Sequence, residues 1–182
     1  MNARNCRLAL AIFIGTEVML FAGFVSGFLV LEGGFPPGAP LLPLRVTVLN
    51  TGGLLASGIA VLLALRAIRR DAQAAFRSWL GLTQILGLGF LLVQGTEWTG
   101  LIREGLTLRS GAYGGIFYLL VGLHALHVLG ALLWLAEIQR RARGGRYGAS
   151  AHLGPELASL YWGFVVLLWP ALFALLYRPF RA

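Results

Sequence analysis

The sequence predicts an all-α integral membrane protein, a five-transmembrane-helix bundle with its N-terminus inside and its C-terminus outside. Three observations lead there. Of 182 residues, 58% are hydrophobic and 12% charged, with a mean hydropathy of +0.77, which leaves too little polar surface to wrap a water-soluble globule. Five apolar stretches reach the roughly 20 residues that a helix needs to cross a ~30 Å hydrocarbon core. The arginines fall between those stretches or, as Arg45 does, at the very end of one. β-Barrel strands would alternate over about ten residues, and these runs are longer and uniformly apolar. A chain this apolar cannot remain solvated as a disordered one either.

The first stretch, 8–31, follows Arg4 and Arg7 and could be confused with a secretory signal. It exceeds the roughly 7–15 residues of a signal core and is interrupted by Glu17, so it is read as a retained helix. The segment 32–43, EGGFPPGAPLLP, carries Pro36, Pro37, Pro40 and Pro43 and reads as a rigid connector. The second stretch, 44–65, places Gly52, Ala56, Ala60 and Ala64 at four-residue intervals, with Gly53 and Ser57 alongside. Gly23 and Gly27 repeat the device in the first helix, and both stripes read as faces for tight helix packing. In the third stretch, 79–98, Thr83, Gly87, Gln94 and Glu97 share one side at 3.6 residues per turn, a polar stripe that should face protein. The fourth, 113–136, carries His124 and His127. The fifth, 157–177, completes a single membrane domain over 1–182, in which no internal repeat is visible.

The formal charge of +8 comes from 15 basic residues against 7 acidic ones, and every basic residue is arginine, a usage that suggests a GC-rich bacterial genome. Nucleic-acid binding would require a solvated basic face with stacking aromatics, and the chain has none. Ten arginines fall on one side: 4 and 7, then 66, 69, 70 and 77, then 140, 141, 143 and 146. The remaining five, Arg45, Arg103, Arg109, Arg178 and Arg181, fall on the other, so the positive-inside rule places the N-terminus in the cytoplasm.

The lone Cys6 excludes an intramolecular disulfide or a cysteine-built zinc site. His124 and His127, three apart on one helix, cannot clamp opposite faces of a haem, and His152 lies in a connector, so a dihaem cytochrome is excluded. A mononuclear metal site using Glu17 or Glu97 is the alternative to plain structural hydrogen bonding, which is preferred for both histidines. Glu17 stands out because an ionised carboxylate near mid-bilayer costs several kcal/mol unless paired or neutralised. Nucleophilic-triad, phosphate-loop and nucleotide-fold signatures are absent, so no catalytic, cofactor-binding or metal-ligating residue is assigned to this chain.

Six segments, in order, resemble subunit III of the haem-copper terminal oxidases, the cytochrome c and quinol oxidase family. They are TEVMLFAGF at 16–24; Pro43 with NTGGLLASG at 50–58; QGTEW at 94–98; SGAYGGIFY at 110–118; GLHALHV at 122–128; and ELASLYWGFV at 156–165. The resemblance spans about residues 12–177, and family members have seven helices or five, the five-helix form keeping its N-terminus inside. It implies a subunit without haem or copper of its own, docked on the haem-copper subunit I and on subunit II. There it would stabilise the catalytic core and support proton uptake during oxygen reduction.

The resemblance further implies phospholipid contacts, a place in the bacterial cytoplasmic membrane and membership of an oxidoreductase complex; assembly into a larger respiratory supercomplex stays open. Glu17 aligns with the family's carbodiimide-reactive membrane carboxylate. Asn50, Thr51, Gln94, Glu97, Tyr113, His124, His127, Glu156, Tyr161 and Trp162 align with motif positions of structural role. The last motif departs from the family's Tyr-Trp-His-Phe-Val-Asp: Gly163 stands for the His and Val166 for the Asp. An accessory protein of nitric-oxide reduction and an independent proton-coupled transporter are the alternatives. The transporter would show broken helices or inverted halves.

Overall fold

The computed structural model describes residues 2–31 and 44–176, without the side chains of residues 31, 44 and 113. Five helices run in chain order: α1 Ala3–Leu31, α2 Leu44–Arg69, α3 Gln73–Arg103, α4 Gly111–Arg143 and α5 Leu153–Leu176. All five are long and apolar enough to cross a membrane. The proline-rich connector, Tyr177, Arg178 and Arg181 lie outside the described residues.

The helices overrun the apolar stretches. α3 starts six residues before residue 79 and ends at Arg103, and α4 continues through Arg140 and Arg141 to Arg143. At 24 to 33 residues and about 1.5 Å per residue, each exceeds a ~30 Å hydrocarbon core. Hydropathy detects only the lipid-immersed part. Beyond it the backbone keeps its hydrogen bonds while arginines meet headgroups or water.

The connector between α2 and α3 is three residues long, which forces the two helices into an antiparallel hairpin; their contact is the broadest in the bundle. Asp71 takes the left-handed conformation (φ 59°) that ends α2, one that aspartate tolerates better than most residues. Its Oδ1 accepts from the backbone N–H of Ala149 at 3.3 Å, tying this turn to the connector after α4. Gln73 Nε2 donates to the Tyr147 carbonyl at 2.7 Å, and Gln139 Nε2 donates to the Arg77 carbonyl at 3.1 Å. These bonds join two arginine-rich segments, and Arg7 of α1 reaches Glu156 at the start of α5, so all three gather at one end of the bundle, as the tally of charges by side expects.

The α2–α5 pair and α4 enclose the core with α3, while α1 rests on α4 and α5 at the periphery. The arrangement is apolar outside, and within it a few polar side chains sit in a largely apolar core. Met19, Val30, Leu49, Ile85 and Leu167 are all exposed, whereas Thr47, Thr51, Ser57, Thr83, Gln94, Glu97, His124 and Ser159 are buried. The inward turn of these polar groups follows from the solvent. Lipid accepts leucine and rejects unpaired donors, so the donors turn inward to one another.

The polar stripe on α3 faces protein as expected: Thr83, Gly87, Gln94 and Glu97 are all buried. The small-residue stripe on α2 is only half right. Ala60 and Ala64 are buried, but Gly52 and Ala56 lie on the outside, and the face that packs there is instead the one carrying Thr47, Thr51, Leu54 and Ser57. Hydroxyl side chains with partners across the interface outbid a smooth small-residue face for the interior. In α1, a side chain built on Gly27 would meet Ile116 at 3.2 Å, whereas one on Gly23 would meet nothing within 4 Å.

Candidate functional site

The two carboxylates singled out in the sequence occupy separate polar clusters. The first joins α1 to α4. Glu17 Oε2 lies 2.7 Å from His127 Nε2, with both side chains nearly buried. The other ring nitrogen, Nδ1, lies 2.7 Å from the carbonyl oxygen of Leu123, one turn back on α4. A carbonyl can only accept, so Nδ1 must carry a proton and donate it. Phe21 packs edge-on against the imidazole at 5.3 Å, which closes the pair from one side. An exposed cluster at the arginine-rich end completes the attachment of α1. There Arg7 donates two hydrogen bonds of 2.9 Å to the two oxygens of Glu156 at the start of α5.

The second cluster lies between α2 and α3. Glu97 accepts from the Thr47 hydroxyl at 2.7 Å through Oε1 and from Gln94 Nε2 at 2.9 Å through Oε2. Asn50 Nδ2 donates to the Phe90 carbonyl at 3.2 Å, and Thr51 donates to the Thr47 carbonyl at 2.7 Å. Two tryptophans on α5 then form rungs to α2: Trp169 Nε1 donates to Thr51 Oγ1 at 2.9 Å, and Trp162 Nε1 donates to Ser57 Oγ at 3.1 Å. The helices are antiparallel, so donors seven residues apart on α5 meet hydroxyls six residues apart on α2. Thr47 and Trp169 were not singled out from the sequence, and Ser57 was read only as a small residue of the packing stripe. The signal available was that matched spacing, which means nothing until α2 and α5 are known to be neighbours.

The two histidines of α4 part company. Three residues turn the helix about 300°, leaving the rings roughly 60° apart, enough for different neighbours. His127 reaches α1. His124 is 1% exposed, stacks on Trp169 (5.1 Å between ring centres, 27° between planes) and meets Phe90 edge-on at 6.1 Å. Among the described residues neither of its ring nitrogens has a hydrogen-bond partner, and aromatic packing holds the ring. Tyr161 lies in an aromatic group with Phe13 and Trp134. Tyr113 falls in the first turn of α4, and its side chain lies outside the described residues.

Val166, where the family motif has an aspartate, is buried, and its Cγ1 lies 3.1 Å from where a Cβ on Gly58 would sit. A carboxylate there would be pressed against the α2 backbone, so valine suits this interface. Gly163 leaves open space, with nothing within 4 Å of a built Cβ. Among the described residues, no three His, Cys, Asp or Glu side chains converge. Glu17 meets one histidine, and Glu97 is turned to a hydroxyl and an amide.

A multi-pass membrane protein of five helices, with Glu17 and Glu97 held by neighbouring helices inside the bundle, is the class that this geometry defines. The family profile described as Cytochrome c oxidase subunit III matches residues 2–179. Cytochrome c oxidase subunit 3 of Thermostichus vulcanus is 36% identical over 174 residues, covering 93% of this chain and 85% of that one. The protein of the same name in Bacillus subtilis (strain 168) is 31% identical over 183 residues, 97% and 87% of the two chains. That of Oryctolagus cuniculus is 32% identical over 184 residues, covering 96% of this chain and 69% of the longer rabbit one. The chain belongs to the cytochrome c oxidase subunit III family.

Proposed function

We propose that this chain is the non-redox subunit III of a respiratory haem-copper terminal oxidase in a bacterial cytoplasmic membrane. It docks on subunit I beside subunit II, stabilises the catalytic core and supports proton uptake. The observation that carries the reading is the family match over nearly the whole chain, with Glu17, Glu97, His127 and Trp162, motif positions in the sequence, all engaged in contacts between helices. Redox chemistry belongs to the partners, since three histidines and one cysteine do not suffice for a haem-copper centre. The outward apolar side chains, Leu8, Ile12, Met19 and Val30 of α1 among them, suit lipid tails or a partner's helices.

The deciding experiment is affinity purification of the tagged chain from its native membrane in mild detergent. A haem-copper subunit I should co-purify and contribute the reduced-minus-oxidised spectrum, while the chain expressed alone should show no Soret band. A Soret band in the isolated chain would overturn the reading, as would recovery without any haem-copper partner. For orientation, single cysteines near Arg70 and Arg143 in a Cys6→Ser background should react with an impermeant thiol reagent only from the cytoplasmic side. One near Arg103 should react only from outside. Inverted labelling at all three would reverse the topology.

A further inference from the structure

We propose that Glu17 and His127 form a proton-dependent joint between α1 and α4, in which a single shared proton holds the peripheral helix to the bundle. The inference goes beyond membership of the oxidase: it rests on the geometry of this chain and requires no partner. Because Nδ1 of His127 is committed to donating to the Leu123 carbonyl, the 2.7 Å contact at Nε2 has one proton to share. That proton sits either on the carboxyl, as O–H···Nε2, or on the ring, as N–H···O of an ion pair. Both forms contain the same number of protons and both make the bond.

Any other proton count breaks or strains it. Removing the shared proton sets a carboxylate against the lone pair of Nε2, two acceptors at hydrogen-bond distance. Adding a second leaves an imidazolium inside the bilayer with no counter-ion, at a cost of several kcal/mol. The neighbouring titratable groups do not replace the missing partner. On α4, His124 lies one turn away and is packed on Trp169. On α5, the Tyr161 hydroxyl is near enough to feel the charge of Glu17 but does not bond it. On α3, Glu97 is turned to Thr47 and Gln94. The Arg7–Glu156 pair is about three turns from Glu17 along α1, at the helix end.

The joint matters because α1 is otherwise weakly attached. Of its described side chains only Phe21 and Phe28 are buried within the chain. Beside Glu17, α1 and α5 are parted by an apolar groove of about 300 Å³ lined by Val18, Phe21 and Ala22 on one side and Leu168, Ala171 and Leu172 on the other. With the joint broken, α1 keeps its ionic tie at one end and is free to swing at the other, widening that groove.

The test uses the full chain in its native membrane with ¹⁵N-histidine. Only three histidines contribute, and His127→Gln assigns the signal. His127 should carry a proton on Nδ1 at every pH, with Nε2 titrating in one step. Labelling of Glu17 by a hydrophobic carbodiimide should decline with the same midpoint, about tenfold for each pH unit above it, as release of one proton requires. Spin labels on the lipid-facing positions 29 of α1 and 119 of α4 should move apart across that step. In Glu17→Gln the neutral amide still donates to Nε2, so the His127 tautomer and the inter-label distance should become independent of pH while labelling is lost. A His127 protonated only on Nε2 would overturn the proposal, as would an inter-label distance that ignores the titration or a Glu17→Gln chain that titrates like the wild type. None of these outcomes depends on which proteins co-purify.

Discussion

Gly87→Leu is expected to remove the folded subunit from the membrane. A Cβ at this position would stand 2.5 Å from Cη2 and 2.8 Å from Cζ2 of Trp162, and 2.9 Å from Cδ2 of Leu132. The indole cannot retreat cheaply: it is fully buried, and its N–H is spent on Ser57 of α2. Moving the ring would cost about 1–3 kcal/mol in overpacking and, with the Ser57 bond lost, about 1 kcal/mol more. The strain falls on α2, α3, α4 and α5 together, because their side chains meet at this one point. Gly89→Leu is the control. It lies two residues away on the same helix with nothing within 4 Å of its built Cβ, so it should accumulate and melt as the wild type does. Thermal unfolding in detergent, with the amount of chain recovered from membranes, measures both. A Gly87→Leu chain as stable as Gly89→Leu would show that the α3–α5 approach is looser than the geometry states.

Glu97→Leu should be nearly as damaging for the opposite reason, since it removes an acceptor instead of adding bulk. The Thr47 hydroxyl and the Gln94 amide both point at this carboxyl, and all three side chains are buried. Each donor left without an acceptor in this buried site costs about 1–3 kcal/mol. Glu97→Gln keeps one acceptor oxygen and should lose less. Thr47→Val added to Glu97→Leu removes one stranded donor and should recover part of the loss, a coupling of about 0.5–3 kcal/mol in a double-mutant cycle of unfolding midpoints. Strict additivity of the two substitutions would show that the 2.7 Å contact contributes nothing to stability.

The number of crossings, their order and the gathering of three arginine-rich segments at one end were legible in the sequence alone. Hydropathy and charge act on each segment separately against lipid and water, whatever its neighbours do. The polar stripe of Thr83, Gly87, Gln94 and Glu97 was legible for the same reason: a helix surrounded by lipid must turn such a face inward. Helix ends were not legible, because the hydrogen-bonded backbone runs past the apolar window into the arginines. Which small-residue face of α2 packs was not legible either. Gly52 and Ala56 obey the spacing rule, yet they lie outside, because Thr51 and Ser57 had indole donors waiting on α5.

Partners were decided by the tertiary structure alone. Glu17 finds His127 across 110 positions of sequence, and Arg7 finds Glu156 across 149. His124, only three residues from His127, turns to Trp169 instead. One sequence determines how each helix is solvated along its length, but the rotation of one helix against the next is fixed by all five at once. A hydrogen bond good to a few tenths of an ångström exists only after that rotation is set, so the sequence could nominate the carboxylates and histidines while the packed bundle chose which of them share a proton.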